Sequence, residues 1–174
     1  LQMLEPDHYL NITERKVATL KDYHILLSLC VFYRRYSEED ALKAVEYLNY
    51  SGKTAKVIKD AIMTGNRLSN TSDKFELKEY IAESGLEFYD LMEDVLRLEE
   101  ELDSKAAKMR RTRLEAAAEI QRKNEPLTVK DLAVKGNDIT KLGATGKTVG
   151  LVLEHLAKQV RRNPEINDRE KLLK

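Results

Sequence analysis

Apolar residues recur along this chain at three- and four-residue steps almost without interruption, which is the spacing of helices rather than strands. Val17, Leu20, His24, Leu27 and Val31 form one stripe and Ile25, Leu29 and Phe32 the face beside it. The first long helix is therefore apolar most of the way round and is expected at the centre of a core, with His24 a satisfied core residue rather than a ligand. Ser37 supplies an N-cap, and Glu38, Glu39 and Asp40 the acidic first turn that suits the positive end of a helix dipole. Ala41, Leu42, Val45 and Leu48 are the buried stripe of this second helix, which runs to about Asn49. Ser51-Gly52-Lys53-Thr54 turns the chain into a third, carrying Val57, Ile58, Ala61 and Ile62 and expected to end or fray at Gly65-Asn66.

Asp73 with Glu76 is a capping-box pattern ahead of Leu77, Tyr80 and Ile81, and Gly85 is placed to close that helix in the left-handed conformation. Leu86, Tyr89, Met92, Val95 and Leu96 stripe the next. From Ser104 a long, weakly apolar helix with Ala106, Met109, Leu114, Ala117 and Ile120 reaches the break at Asn124-Glu125-Pro126. Thr128 and Asp131 cap a short helix, Gly136-Asn137-Asp138 reads as a turn, and Gly143 and Gly146 bracket another. Val149, Val152, Leu153, Leu156 and Val160 then stripe a helix that stops at Asn163-Pro164. The expected fold is all-α, an irregular bundle of about nine or ten helices in two units, residues 1–104 and 105–174, with the boundary near 104–127.

Composition narrows the class. The 174 residues are 42% hydrophobic and 34% charged, as in a folded globular chain. The longest strongly apolar run, from Ile25 to Phe32, is far short of a membrane span, and one cysteine, Cys30, within that run reads as a core thiol of a reducing, cytoplasmic compartment. The 30 basic and 30 acidic side chains cancel but are unevenly placed: residues 1–103 carry 13 basic and 21 acidic, residues 104–174 carry 17 and 9. Local positive charge of that kind suits a polyanionic partner at one end only.

Gly143-Ala144-Thr145-Gly146-Lys147-Thr148 ends like a phosphate-binding P-loop, yet Lys141 stands where the loop needs its first glycine, and a helical segment precedes it where a strand is required. His8, His24 and His155 are scattered, and Glu99-Glu100-Glu101 reads as a solvated helix face, so no catalytic or metal-binding residue is assigned. Basic rows are more informative. Lys105, Lys108, Arg110, Arg111 and Arg113 crowd two turns of one helix, and Lys53, Lys56 and Lys59 repeat along another. Without interleaved aromatics, such rows suit recognition of folded or duplex RNA through its phosphates better than base stacking.

Leu127-Thr128-Val129-Lys130-Asp131-Leu132-Ala133-Val134-Lys135-Gly136-Asn137-Asp138-Ile139, continuing through Leu142-Gly143, Gly146, Gly150, Leu153 and Leu156 to Pro164-Glu165, Asn167 and Leu172, resembles the C-terminal tail of bacterial tRNA nucleotidyltransferases, in the CCA-adding and poly(A) polymerase family. Leu48-Asn49-Tyr50-Ser51-Gly52-Lys53 with Val57-Ile58 is similar to a turn in that family's body. The resemblance implies a C-terminal portion, with the end of a neck at Leu1 to about Arg15. The catalytic head, with its Mg ions, and the neck side chains that pair with CTP or ATP would lie elsewhere, so the chain alone is expected to be inactive. It further implies tRNA as partner, held at its acceptor arm and elbow, with contacts at Lys53, Lys135, Gly136, Asn137, Gly143, Gly146 and Lys147, to which the basic row adds Lys105, Lys108, Arg110 and Arg111. Thr145-Gly146-Lys147 departs from the Pro-Gly-Pro common in relatives and leaves that loop less rigid. Two other classes fit the same chain: a helical protein-interaction scaffold, and a helix-hairpin-helix module for duplex DNA that uses Leu142-Gly143 and Gly146.

Overall fold

The computed structural model describes residues 20–100 and 104–174. The neck portion, His8, Val17 and Glu101 lie outside the described residues. Among those described, the chain is all-α, with nine α-helices, two 3-10 turns and no strand. The described residues form two compact units, one ending at Gly65 and the other running from Asn66 to Lys174. The division falls inside a helix and not at residues 104–127 as expected.

The first unit contains α1 (Leu20–Tyr33), α2 (Glu38–Tyr47) and most of α3 (Gly52–Asn70). Ser37 caps α2 as expected, its hydroxyl accepting the Asp40 amide at 3.2 Å. Tyr33, Ala41, Val45, Ile58 and Ile62 form the core. The Tyr33 and Tyr50 hydroxyls meet at 3.0 Å across it. Contrary to expectation, α1 is not enclosed by the described residues: Cys30 and Tyr33 are buried, but Ile25 and Phe32 are half exposed and His24 lies at the surface. Leu48 is likewise exposed, because α2 stops at Tyr47 and Leu48 only caps it. Nor does Gly65-Asn66 end α3. Ile62 and Leu68 are both buried on either side of it, and burial of such side chains, about 1.5–3 kcal/mol each, exceeds the roughly 1 kcal/mol that a mid-helix glycine costs.

The second unit contains the end of α3, α4 (Lys74–Ser84), α5 (Leu86–Glu99), α6 (Lys105–Arg122), α7 (Gly136–Lys141), α8 (Lys147–Arg162) and α9 (Arg169–Leu172). Asp73 caps α4 by accepting the Phe75 and Glu76 amides. Gly85 closes α4 and opens α5 at φ 86° and ψ 152°, a positive-φ extended state rather than the left-handed helical one expected. Both α6 and α8 pack on α4, and α6 also on α5, which is why no division appears at residues 104–127. Leu132, Val134, Ile139, Ala157 and Val160 form a further core beneath the α7–α8 hairpin. Thr128 and Asp131 form the expected reciprocal cap, here on the 3-10 turn Val129–Asp131. Asn167 braces it by accepting the Ala133 amide at 2.8 Å and donating to the Asp131 carbonyl at 2.9 Å. Gly136-Asn137-Asp138 is not a free turn. It opens α7, because the Asp138 carboxylate accepts the Lys135 amide at 2.9 Å.

Candidate nucleic-acid interface

The candidate cations separate into those held by carboxylates and those left facing water. On α6 the buried face is Ala107, Arg113, Ala117 and Ile120. Arg113 is 3% exposed and grips Glu93 through Nε at 2.8 Å and Nη2 at 3.2 Å, with Nη1 on the Ser69 carbonyl at 3.3 Å. Burial raises the Glu93 carboxyl despite the opposing pull of that guanidinium. Arg113 is therefore a structural ion, which sequence spacing had grouped with the phosphate-facing row. Arg110 leaves the row too: its Nε pairs with Glu100 at 2.7 Å in a largely buried contact. Glu100 is accordingly not part of a solvated acidic face. Lys105, Lys108 and Arg111 are exposed on the opposite side of α6, and neither lysine pairs with a carboxylate among the described residues.

On α3 only Lys53 stays unpaired among the described residues. Lys56 bonds Asp60 at 2.6 Å and Lys59 bonds Glu46 at 2.8 Å. Lys53 lines a surface pocket of about 340 Å³ with Ile25, Leu26, Ser51 and Thr54.

In the hairpin, Lys130, Lys135, Lys141 and Lys147 are all exposed, and Lys135 Nζ donates to the Lys130 carbonyl at 2.7 Å. The two nearby carboxylates are spent on the backbone. Burial alone would raise Asp131, but the amides of Thr128 and Leu127 outweigh it and hold it below its ordinary value. Asp138 is lowered by the Lys135 amide and by Arg169, whose Nη2 lies 2.6 Å away. Lysine charge therefore dominates this surface. Gly136 lies against Val149, so the Lys135 and Lys147 ends of the two helices are neighbours; a Cβ there would sit 3.5 Å from Val149 Cγ1. Gly143 and Gly146 hold φ of 97° and 55°, which a side chain would strain, and Asn137 is exposed on the first turn of α7.

α2, α4, α5, α7 and α9 all carry acidic residues in their first turns, but α3, α6 and α8, of 19, 18 and 16 residues, carry none. They open instead on Lys53, on Lys105 and Lys108, and on Lys147. Cations at the positive end of a helix dipole cost stability, about 0.3–1 kcal/mol each, and suit an anion brought from outside. Among the described residues no group of His, Cys, Asp and Glu is arranged to hold a metal ion, and no helix is long and apolar enough to cross a membrane. Comparison with protein-family models, curated proteins and solved structures finds no match to this chain.

Proposed function

We propose that residues 66–174 bind the backbone of folded RNA, and that the chain is the body and tail portion of a tRNA nucleotidyltransferase acting at the 3′ CCA end. What supports the reading is the lysines at the starts of α6 and α8, in a unit where, among the described residues, Asp131 and Asp138 are tied to backbone amides and Glu100 and Glu93 to Arg110 and Arg113. The tail resemblance, from Leu127 to Leu172, supplies tRNA as the ligand. Mg ions and CTP or ATP belong, on this reading, to a head and neck elsewhere. A duplex-DNA reading is favoured by one feature, two helices joined through positive-φ Gly143 and Gly146. Competition separates the two: labelled tRNA bound to the protein should be displaced by unlabelled tRNA well before an equal phosphate concentration of duplex DNA. Equal displacement would favour the DNA module, and no binding at low salt would discard both. Incubation with tRNA lacking its 3′ end, CTP, ATP and Mg²⁺ should give no extension, and extension would refute the assignment as a portion without its catalytic head.

A further inference from the structure

Residues 127–174 carry a core of their own. Its buried members, Leu132, Val134, Ile139, Ala157 and Val160, and the partly buried apolar side chains packed on them all come from between Val129 and Leu173. Among the described residues none comes from α4, although α8 lies on that helix. Within residues 66–174 one stretch of backbone, Lys123–Pro126, joins this segment to α6, and it turns at Asn124, where φ is 49°.

Charged groups line the seam with α4. Lys78, with a side chain 4% exposed, donates to the Arg161 carbonyl at 2.9 Å and pairs with Glu125, which also receives Lys74 at 2.7 Å. The Arg161 guanidinium pairs with Glu79 and donates to the Leu127 carbonyl at 2.8 Å. Lys158 stands 3.9 Å from Glu79, and the Arg162 guanidinium lies 4.7 Å over the Phe75 ring.

Parting two apolar faces costs free energy in proportion to the area exposed to water. Parting an ion seam returns each charge to water, and the hydration recovered offsets much of the attraction lost, so a buried ion pair adds little net stability over apolar packing of the same volume. Its directional bonds still admit few orientations, which keeps the docked arrangement single.

We infer that residues 127–174 are a detachable module: the ion seam with α4 opens ahead of either core, and the module swings away as a folded body about residues 123–126. Opening frees Arg161, 8% exposed when docked, beside the exposed Lys158 and Arg162, so the docked state withholds cationic charge that the open state presents. The inference stands apart from the RNA-binding reading, since it uses only the packing within residues 66–174.

Spin labels at Thr112→Cys on α6 and Thr148→Cys on α8, both exposed sites, in a Cys30→Ala background, test it in the full chain at neutral pH. The parent should give one narrow distance. Removing one partner of a buried pair should raise the ratio of open to docked molecules by at least about tenfold, so Lys78→Met and Glu79→Gln, and most of all the two combined, should add a longer and broader component. Arg110→Met, which breaks the partly buried pair with Glu100 away from the seam, should leave the distance unchanged. Helix content should match the parent in the seam variants, and amide exchange from Lys147 to Val160 should stay within about threefold of the parent rate, because the module keeps its own core. The inference is overturned if the combined variant shows no second component, if Arg110→Met produces the same one, or if the component comes with lost helix and fast exchange across α8, which would mean that the segment unfolds instead of undocking.

Discussion

Replacing Arg113 by Met should destabilise the protein by about 3–4 kcal/mol at pH 7, and the cost should shrink as the pH is lowered toward 4.5. The substitution strands the Glu93 carboxylate, 4% exposed, without its two guanidinium bonds of 2.8 and 3.2 Å. Rather than remain buried as an unpaired charge, Glu93 takes up a proton, and its ordinary value of 4.5 sets the cost. At about 1.36 kcal/mol per pH unit, protonation at pH 7 costs about 3.4 kcal/mol, within the range for breaking a buried pair. In the variant the folded value is raised above the unfolded one, so the destabilisation is small near pH 4.5 and grows with rising pH until the folded value is reached. Urea unfolding followed by circular dichroism at several pH values measures it. Replacing both partners by Met should restore most of the stability, because the cost lies in the stranded charge. A loss below about 1 kcal/mol at pH 7, or one that does not vary with pH, would refute the assignment of Arg113 as a structural ion.

Three further outcomes follow from the tail. Glu125, Asp131 and Asp138 are all held below their ordinary carboxyl values, so their stabilising contribution is present above about pH 4.5 and is lost as pH falls through the folded values; acid unfolding monitored by hydrogen exchange should release residues 125–174 early. For Glu125, burial acts to raise the carboxyl and hydrogen bonds from Lys74 and Lys78 outweigh it, so Glu125→Gln should flatten that acid transition. Gly146→Ala, at φ 55° and ψ −130°, should cost about 1–3 kcal/mol by urea unfolding, whereas Gly136→Ala, whose nearest contact is ordinary, should cost less than half as much.

Local sequence alone reveals the helical class, the Ser37, Asp73 and Thr128 caps, and most of the core stripes, because these depend on residues three or four apart. It failed where long-range packing overrides local preference. Gly65-Asn66 signals an end or fraying, yet buried Leu68 carries α3 past it. Gly136-Asn137-Asp138 has the composition of a turn, yet the Asp138 carboxylate makes it a helix start. The basic row on α6 was legible as a row but not as two populations, since what removes Arg110 and Arg113 from it are Glu100 and Glu93, ten and twenty residues away in sequence. Arg113 falls on the Ala117 and Ile120 face, and that was the one available sign that it points inward. Lys78 offered a similar sign beside Leu77 and Ile81 on α4, whereas its partners Glu125 and Arg161 lie too far along the chain for spacing to find.

The central claim, that a defined lysine surface in residues 66–174 takes RNA phosphates, is tested most directly by the salt dependence of tRNA binding. Each phosphate neutralised releases condensed counterions, so the log-log slope counts contacts. Replacing Lys135 and Lys147 together by Ala should make the slope shallower by roughly one to two units, whatever the tRNA sequence. Replacing Lys43 and Lys123, already paired with Glu39 at 2.5 Å and Glu119 at 2.6 Å, should leave it unchanged. Equal shifts in the two double variants, or no shift in either, would contradict the account.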